Sequence, residues 1–386
     1  MTAPGEFVRL LFDEVLTLVN TSASKVDARS YEKSGRTPVV DQSKSRIAGY
    51  TNEPVTPLLA GKSGMIVFGD HTCVTKFVDF PFVVGADGTK VLRARRPDRV
   101  LARYVAYLLE LFPVASTGYN RHFSTLRQRA FDLPDVAVQR RFVNLLSDAD
   151  ALVASLESLM DKKREIKQGL MQELLTGRSR LPGFAGEWQT RSIGDFARAK
   201  AGGTPSTAVP SYWGGSVRWM SSGEIHRKRI REVDGRITDD GLRESPAQLF
   251  PAGTVLMALA GQGRTRGTVA VSEVDLATNQ SIAGILPSGT HDPEFLYYNL
   301  DTRYDELRGE SAGDGGRGGL NLTIIKKLDV LMPEIDEQRA VSSVLRDVDA
   351  EIETLSRRLS SAINVKQGMM QELLTGRTGL ASEVAA

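Results

Sequence analysis

A phrase of twelve residues occurs twice in this chain, as KQGLMQELLTGR at residues 167–178 and as KQGMMQELLTGR at residues 366–377, an offset of 366 − 167 = 199. The same offset carries Pro134 onto Pro333, Gln139 and Arg140 onto Gln338 and Arg339, Asp148 onto Asp347 and Asp150 onto Asp349, with no gap. A chain written twice is expected to fold as two copies of one plan, which limits the choice of architectures more than any composition figure does.

The repeated segment has the pattern of a long helix that pairs with another helix. Apolar residues fall at Phe142, Leu146, Ala149, Val153, Leu156 and Met160, alternately four and three apart, and the second copy repeats the register at Val341, Leu345, Val348, Ile352, Leu355 and Leu359. That spacing averages the 3.5 residues of a coiled-coil seam. Charge covers the other faces, as in residues 161–165, so each helix is marginal alone and its simplest partner is the other copy. Gly177 and Gly376 are placed to end the helices, with Arg178 and Arg377 beside the negative end of the dipole. From about Ala137 to Thr176 each helix would hold roughly 40 residues and span on the order of 60 Å.

Two globular regions precede the two helices. Glu6 and Phe7 at the start of the first match Glu187 and Trp188 in the second at an offset of 187 − 6 = 181, so the second region carries a net 199 − 181 = 18 extra residues. The globular parts have diverged while the helices have not, which suggests that they differ in what they bind. Short strand-like runs at residues 65–68, 82–84, 254–259, 268–271 and 282–286 alternate with turn residues, and helices are expected at 101–111 and 293–307. A small mixed sheet with a few helices is expected in each region, followed by a polar or Gly-rich loop at 116–122 and 311–319. The fold class is therefore α+β: two related mixed α/β domains separated by two long antiparallel coiled-coil helices, as a pseudo-two-fold internal repeat.

The chain of 386 residues is long enough for two domains of ordinary size, and no apolar run approaches the length of a membrane span. The N-terminus has no basic segment followed by an apolar one, and the single Cys73 excludes an internal disulfide; both point to the cytoplasm. Net charge is only +2, yet basic residues cluster at 93–96, 121–129, 226–231 and 264–266, two clusters per half. Local positive patches on a nearly neutral chain suit a phosphate backbone met at defined places.

Catalytic motifs are lacking. Gly261, Gly263 and Gly267 resemble a dinucleotide loop, but no βαβ pattern surrounds them; His71 and Cys73 have no second ligand pair; and residues 292–295, Asp-Pro-Glu-Phe, lack the second proline of the base-holding tetrapeptide of amino-methyltransferases. No catalytic residue and no metal site is expected. What remains is recognition chemistry: side chains able to contact base edges in pairs of hydrogen bonds, with Ser, Thr and Gly around them to position phosphates. The candidate DNA-binding residues are Gln42, Lys44, Arg46, His71, Asn120 and Arg121 in the first half, and Arg227, Lys228, Gln262, Arg264, Arg266, Asn279 and Gln280 in the second.

Over essentially its whole length the chain resembles the specificity subunit of type I restriction-modification enzymes. The words that carry the likeness come in order: Pro38-Val39-Val40 before Gly49-Tyr50; residues 67–72, Val-Phe-Gly-Asp-His-Thr; residues 82–90; residues 202–206, Gly-Gly-Thr-Pro-Ser, with Tyr212-Trp213; residues 219–225; Ile237-Thr238 before Gly241-Leu242; and residues 277–280, Ala-Thr-Asn-Gln. A Pro-x-x-x-x-Gln-Arg start to each long helix completes the set. One departure stands out: Val138 precedes the first Gln where the family usually places an acidic residue, as Glu337 does in the second copy.

The resemblance implies a target recognition domain at residues 1–132, a conserved spacer helix at 133–178, a second recognition domain at 179–331, a second spacer at 332–378 and a tail at 379–386. Each recognition domain would read one half of a split site on double-stranded DNA, and the helices would form a platform for two modification (methyltransferase) subunits, which a restriction subunit (endonuclease and translocase) can join. S-adenosylmethionine, ATP and Mg would belong to those partners, with no cofactor in this chain. Pseudo-two-fold protein symmetry also maps naturally onto inverted half-sites in duplex DNA. Two rival readings remain: an enzyme acting on DNA itself, which would need a cofactor loop, and a coiled-coil scaffold without DNA contact.

Overall fold

The computed structural model describes residues 7–118, 120–261, 263–310 and 319–375. Four helices organise it: α1 (Ala102–Leu111), α2 (Val136–Leu174), α3 (Pro293–Thr302) and α4 (Ile335–Leu374). The chain packs as two compact units, one of Met1–Ser158 with Arg357–Ala386 and the other of Leu159–Ser356, so each long helix contributes one half to each unit.

In the first unit an antiparallel sheet takes the order Leu16–Leu18, Thr89–Ala94, Met65–Gly69, Thr75–Val78, and a mixed sheet takes the order Lys25–Val26, Val83–Gly85, Thr37–Val40, Gly49–Thr51. A two-stranded ribbon joins Val8–Leu11 to Ala130–Leu133, the segment that leads into α2. The second unit is built the same way, with a five-stranded sheet, a four-stranded sheet and the ribbon Gln189–Ser192 with Asp329–Met332 before α4. In place of one small sheet per region, each unit has two sheets and a ribbon among the described residues.

Strand burial explains why those strands read as continuous apolar runs. Val255–Ala258, Val269–Ser272 and Ile282–Ile285 are buried at every position. Alternate residues serve different cores: Val255, Met257, Val269 and Val271 pack with α3, while Leu256, Ala258, Ala270 and Ile282 pack with Met220, Ile225 and Ile230. The first unit splits the same way, with Ile66, Phe68 and Leu92 against α1 and Val67, Val78 and Val91 on the other face.

The helical stripe does two jobs. Phe142 and Leu146 join the core of the first unit with Met370, Leu373 and Leu374, and Val341 and Leu345 join the core of the second with Met171, Leu174 and Leu175. Farther along, Leu156, Met160 and Leu355 are buried, while Val153, Val348, Ile352 and Leu359 are half-buried. In the second unit Lys163 pairs with Glu351 and Lys167 with Asp349, so one number falls as the other rises and the helices run antiparallel. Gly177 takes φ +71 at the end of α2, a conformation that suits glycine. Gly376 lies outside the described residues. The single helix expected at 293–307 is two: Arg303 leaves the helical region at φ −101 and ψ 22, and a second helix runs Tyr304–Glu310. Arg303 is held there by its own side chain, which donates from Nη1 to the carbonyl of Asp329 at 2.7 Å and from Nε to Glu306 at 2.8 Å.

Candidate nucleic-acid interface

In the first unit three loops meet beyond the strand ends, and Gln42 links them. Its backbone carbonyl accepts the Thr72 hydroxyl at 2.7 Å, its Oε1 accepts the His71 amide at 3.3 Å, and its Nε2 donates to the Asp87 carbonyl at 2.8 Å. Gly88, at φ +84, lets the third loop approach: a Cβ there would sit 2.7 Å from the His71 ring. Behind the loops, the buried Asp70 accepts the Phe123 amide at 2.8 Å, and its carbonyl accepts from His122. His122 Nε2 accepts the Thr117 amide at 2.9 Å, so Nδ1 carries the proton and faces the Asp70 carbonyl at 3.1 Å. Asn120 donates from Nδ2 to the Thr117 carbonyl at 3.1 Å. This frame leaves Lys44, Asn120 and Arg121 exposed at the loop tips. Arg46 is exposed as well, but pairs with Asp79 at 3.0 Å and lies over the Phe80 ring.

The candidates of the second unit divide into two groups. Around residues 202–206, Gly202 and Gly203 lie so close to Asn279 and Pro246 that a Cβ would be 2.4 and 2.2 Å from their carbonyl oxygens. Thr204 donates to Gln280 Oε1 at 2.5 Å, Trp219 Nε1 donates to the Gly203 carbonyl at 3.0 Å, and Asn279 Oδ1 accepts the Ser281 amide at 3.2 Å. Gln280 is exposed and Asn279 half-buried. The neighbouring loop exposes Arg264 and half-exposes Arg266, and is tied to the turn Ser222–Arg227 through His226 Nε2 and the Thr265 hydroxyl at 3.3 Å. Gln262 lies outside the described residues.

Arg227 and Lys228 sit elsewhere. Arg227 is paired with Asp234 at 2.8 Å and Glu224 at 3.0 Å, and Lys228 with Asp301 at 2.6 Å; both line a cleft of about 970 Å³ shared with Lys167 and Asp349 of the long helices. Their cationic groups are committed within the unit. A run of basic residues in sequence could not show this, because the acids that engage them lie up to 73 positions away.

Sequence reasoning missed the frame: the buried Asp70 and His122 and the half-buried Thr204 position the loops, and the buried Lys76 donates to the Asp41 carbonyl at 2.8 Å beside its carboxylate at 3.8 Å, while burial lowers its pKa despite that carboxylate. The polar spacing of these residues is that of ordinary turns, so only the contacts reveal them. Among the described residues no group of His, Cys, Asp and Glu is placed to hold a metal ion, and no helix is long and apolar enough to cross a membrane.

Residues 185–364 match the family model of the type I restriction modification DNA specificity domain. Over 355 residues the chain is 24% identical to the EcoR124I/EcoR124II specificity subunit of Escherichia coli, covering 89% of this chain and 86% of that one. The type I restriction-modification S subunit of M. genitalium superposes with a TM-score of 0.68 at 14% identity, covering 95% of this chain and 96% of that one. A second solved chain, from work on complex assembly and conformational transition of the type I R-M system, gives 0.54 at 13% identity over 97% and 99%. The structural likenesses speak for the fold, and the aligned sequence and the family model for a likeness in sequence: the chain is similar over most of its length to type I restriction-modification specificity subunits, and residues 185–364 match their DNA specificity domain.

Proposed function

We propose that each compact unit carries one target recognition domain that reads one half of a bipartite DNA site, and that the chain directs partner subunits to methylate or cut there. The observation that carries this reading is the pair of loop clusters. In each unit a hydrogen-bonded frame of loops presents exposed cations and amides, Lys44, Asn120 and Arg121 in one and Arg264 and Gln280 in the other. Arg266 and Arg46 belong at the rim of these sets. Gln42 and His71 act as loop frame, and Arg227 and Lys228 face the helices.

The long helices serve as spacer and as platform for two modification subunits, with a restriction subunit added in the full complex. The chain itself is non-catalytic; S-adenosylmethionine, ATP and Mg work on the partners, in the cytoplasm. Mapping methylated bases in cells with and without this chain, beside the modification subunits, tests the proposal. A bipartite motif that appears only with the chain is expected. Methylation indifferent to it would favour a scaffold without DNA contact.

A further inference from the structure

Beside the apolar packing, two polar ties of the same chemistry recur between the globular part and the long helices in both units. The first tie is a buried glutamine. Gln139 Oε1 accepts the Leu101 amide at 2.9 Å and its Nε2 donates to the Pro134 carbonyl at 2.8 Å; Gln338 makes the same bonds to Asp292 and Pro333 at 2.9 and 2.8 Å. The second tie is a carboxylate. Asp150 of α2 accepts the Tyr107 hydroxyl of α1 at 2.6 Å and faces Lys366 of α4 at 2.8 Å, with Arg103 at 3.5 Å. Asp349 of α4 accepts the Tyr298 hydroxyl of α3 at 2.7 Å and faces Lys167 of α2 at 2.7 Å, with Arg229 at 4.0 Å.

The arginine arrives by two routes. Arg103 is on α1, four residues before Tyr107, but the matching residue before Tyr298 is Glu294, and Arg229 comes instead from the strand Arg229–Ile230, held by Glu294 at 2.7 Å. In both units one carboxylate collects donors from the globular part and from the second long helix.

Spacing gives these ties their meaning. The two lie 150 − 139 = 11 and 349 − 338 = 11 residues apart. Eleven residues are about three helical turns, so both ties fall on one face of the helix, about 16 Å apart. A body held at one point on an axis can rock about it, and a second point removes that freedom. Resting on the recognition function proposed above, we propose that Asp150 and Asp349 are positioning residues for DNA reading: each fixes the tilt of its own recognition domain on the helix pair, and thereby the half-site spacing that the complex accepts. With the carboxylate gone, the glutamine and the apolar packing of Phe142 and Leu146, or of Val341 and Leu345, remain, without the directional bond that sets the tilt.

The test uses Asp150→Ala and Asp349→Ala, with Tyr107→Phe and Tyr298→Phe as milder variants, each as full chain in complex with modification subunits. Methylation is measured on DNA carrying the native spacer and spacers one base pair shorter or longer, beside thermal unfolding of the same preparations. Each Ala variant should raise the ratio of off-spacer to native-spacer methylation by roughly fivefold, the Phe variants less, with the half-site bases unchanged. An unchanged ratio, with all sites losing methylation in step with lost folded protein, would make the ties mere scaffold and overturn the proposal. Altered half-site bases would overturn it too. If the unmodified complex methylates no bipartite site at all, the recognition reading itself falls first.

Discussion

Arg180 grips Glu337 at the start of α4 with two hydrogen bonds, Nε to Oε1 at 2.5 Å and Nη2 to Oε2 at 2.6 Å. Glu337 is almost fully buried, and the guanidinium also lies over the Trp188 ring. The repeat explains the departure at the first helix start: Val138 stands where Glu337 does, and Gly379 stands where Arg180 does, so acid and base are absent together.

A buried carboxylate that loses its partner costs more than a pair replaced whole by apolar groups. Arg180→Gly should therefore lower the melting temperature, and adding Glu337→Val, which copies the first helix start, should recover part of the loss. A double-mutant cycle in thermal unfolding checks it. A double variant less stable than Arg180→Gly would show that the pair contributes nothing specific.

Gln139 and Gln338 are each about 1% exposed; Gln338 spans two backbone groups and Gln139 the matching two and the Arg99 carbonyl. Replacing either with Ala leaves a buried amide and carbonyl without a partner, at about 1 to 3 kcal/mol. Urea unfolding should show a loss at both positions, the larger at Gln139, whose Nε2 also donates to the Arg99 carbonyl at 3.0 Å. A loss confined to one would mean that the two helix starts are not equivalent.

The parts of the fold legible in the sequence were those written as periodicity. The spacing from Phe142 to Met160 gives the helix, and the 199-residue offset gives its partner. Sheet count was not legible, because strands such as Val255–Ala258 serve a core on each face and show no polar alternation. Among the candidate site residues, Lys44, Arg121 and Arg264 are exposed at loop tips as their composition suggests. Lys228 looks the same in sequence, yet Asp301 takes its ammonium, and no local pattern encodes a partner brought in by another helix.

Burial pushes the His291 pKa down to about 4, from an ordinary 6.5, while Nδ1 meets the Ser288 hydroxyl at 2.7 Å. With the folded value below the unfolded one, the unfolded chain binds more protons between these pH values. The neutral ring's contribution is complete above pH 6.5 and is lost as pH falls toward 4. The loss is at most about 3 kcal/mol. Melting temperatures taken from pH 7 to 4 should fall less steeply for His291→Asn than for the native chain; equal slopes would assign the acid sensitivity elsewhere.

Arg264 is exposed in a loop tied to its neighbours through the Thr265 hydroxyl and its own carbonyl, which accepts from Thr268 at 2.7 Å. Arg264→Ala should leave folding intact and relax one position of the second half-site, at about 1 to 3 kcal/mol if the lost contact is to a base. Methylation assays on single-base variants of the site check this. An equal loss on every sequence would assign the arginine to phosphate.

The last prediction concerns spacer length. An insertion near Gln172 would disturb the core, because Met171 and Leu174 are buried in the second unit; the better place is between the two aspartate ties. Inserting four residues after Ser158 and four after Ser356 lengthens both helices and keeps Lys366 opposite Asp150 and Lys167 opposite Asp349. Four residues add about 6 Å of rise and a net turn of about 40°. Duplex DNA rises about 3.4 Å per base pair, and at about 10 base pairs per turn it twists by roughly 35° per step. The rise allows up to about two extra base pairs and the turn matches about one. Methylated-site mapping should therefore show the same two half-sites separated by one or two more base pairs. An unchanged spacer with retained activity would mean that the helices do not set the distance.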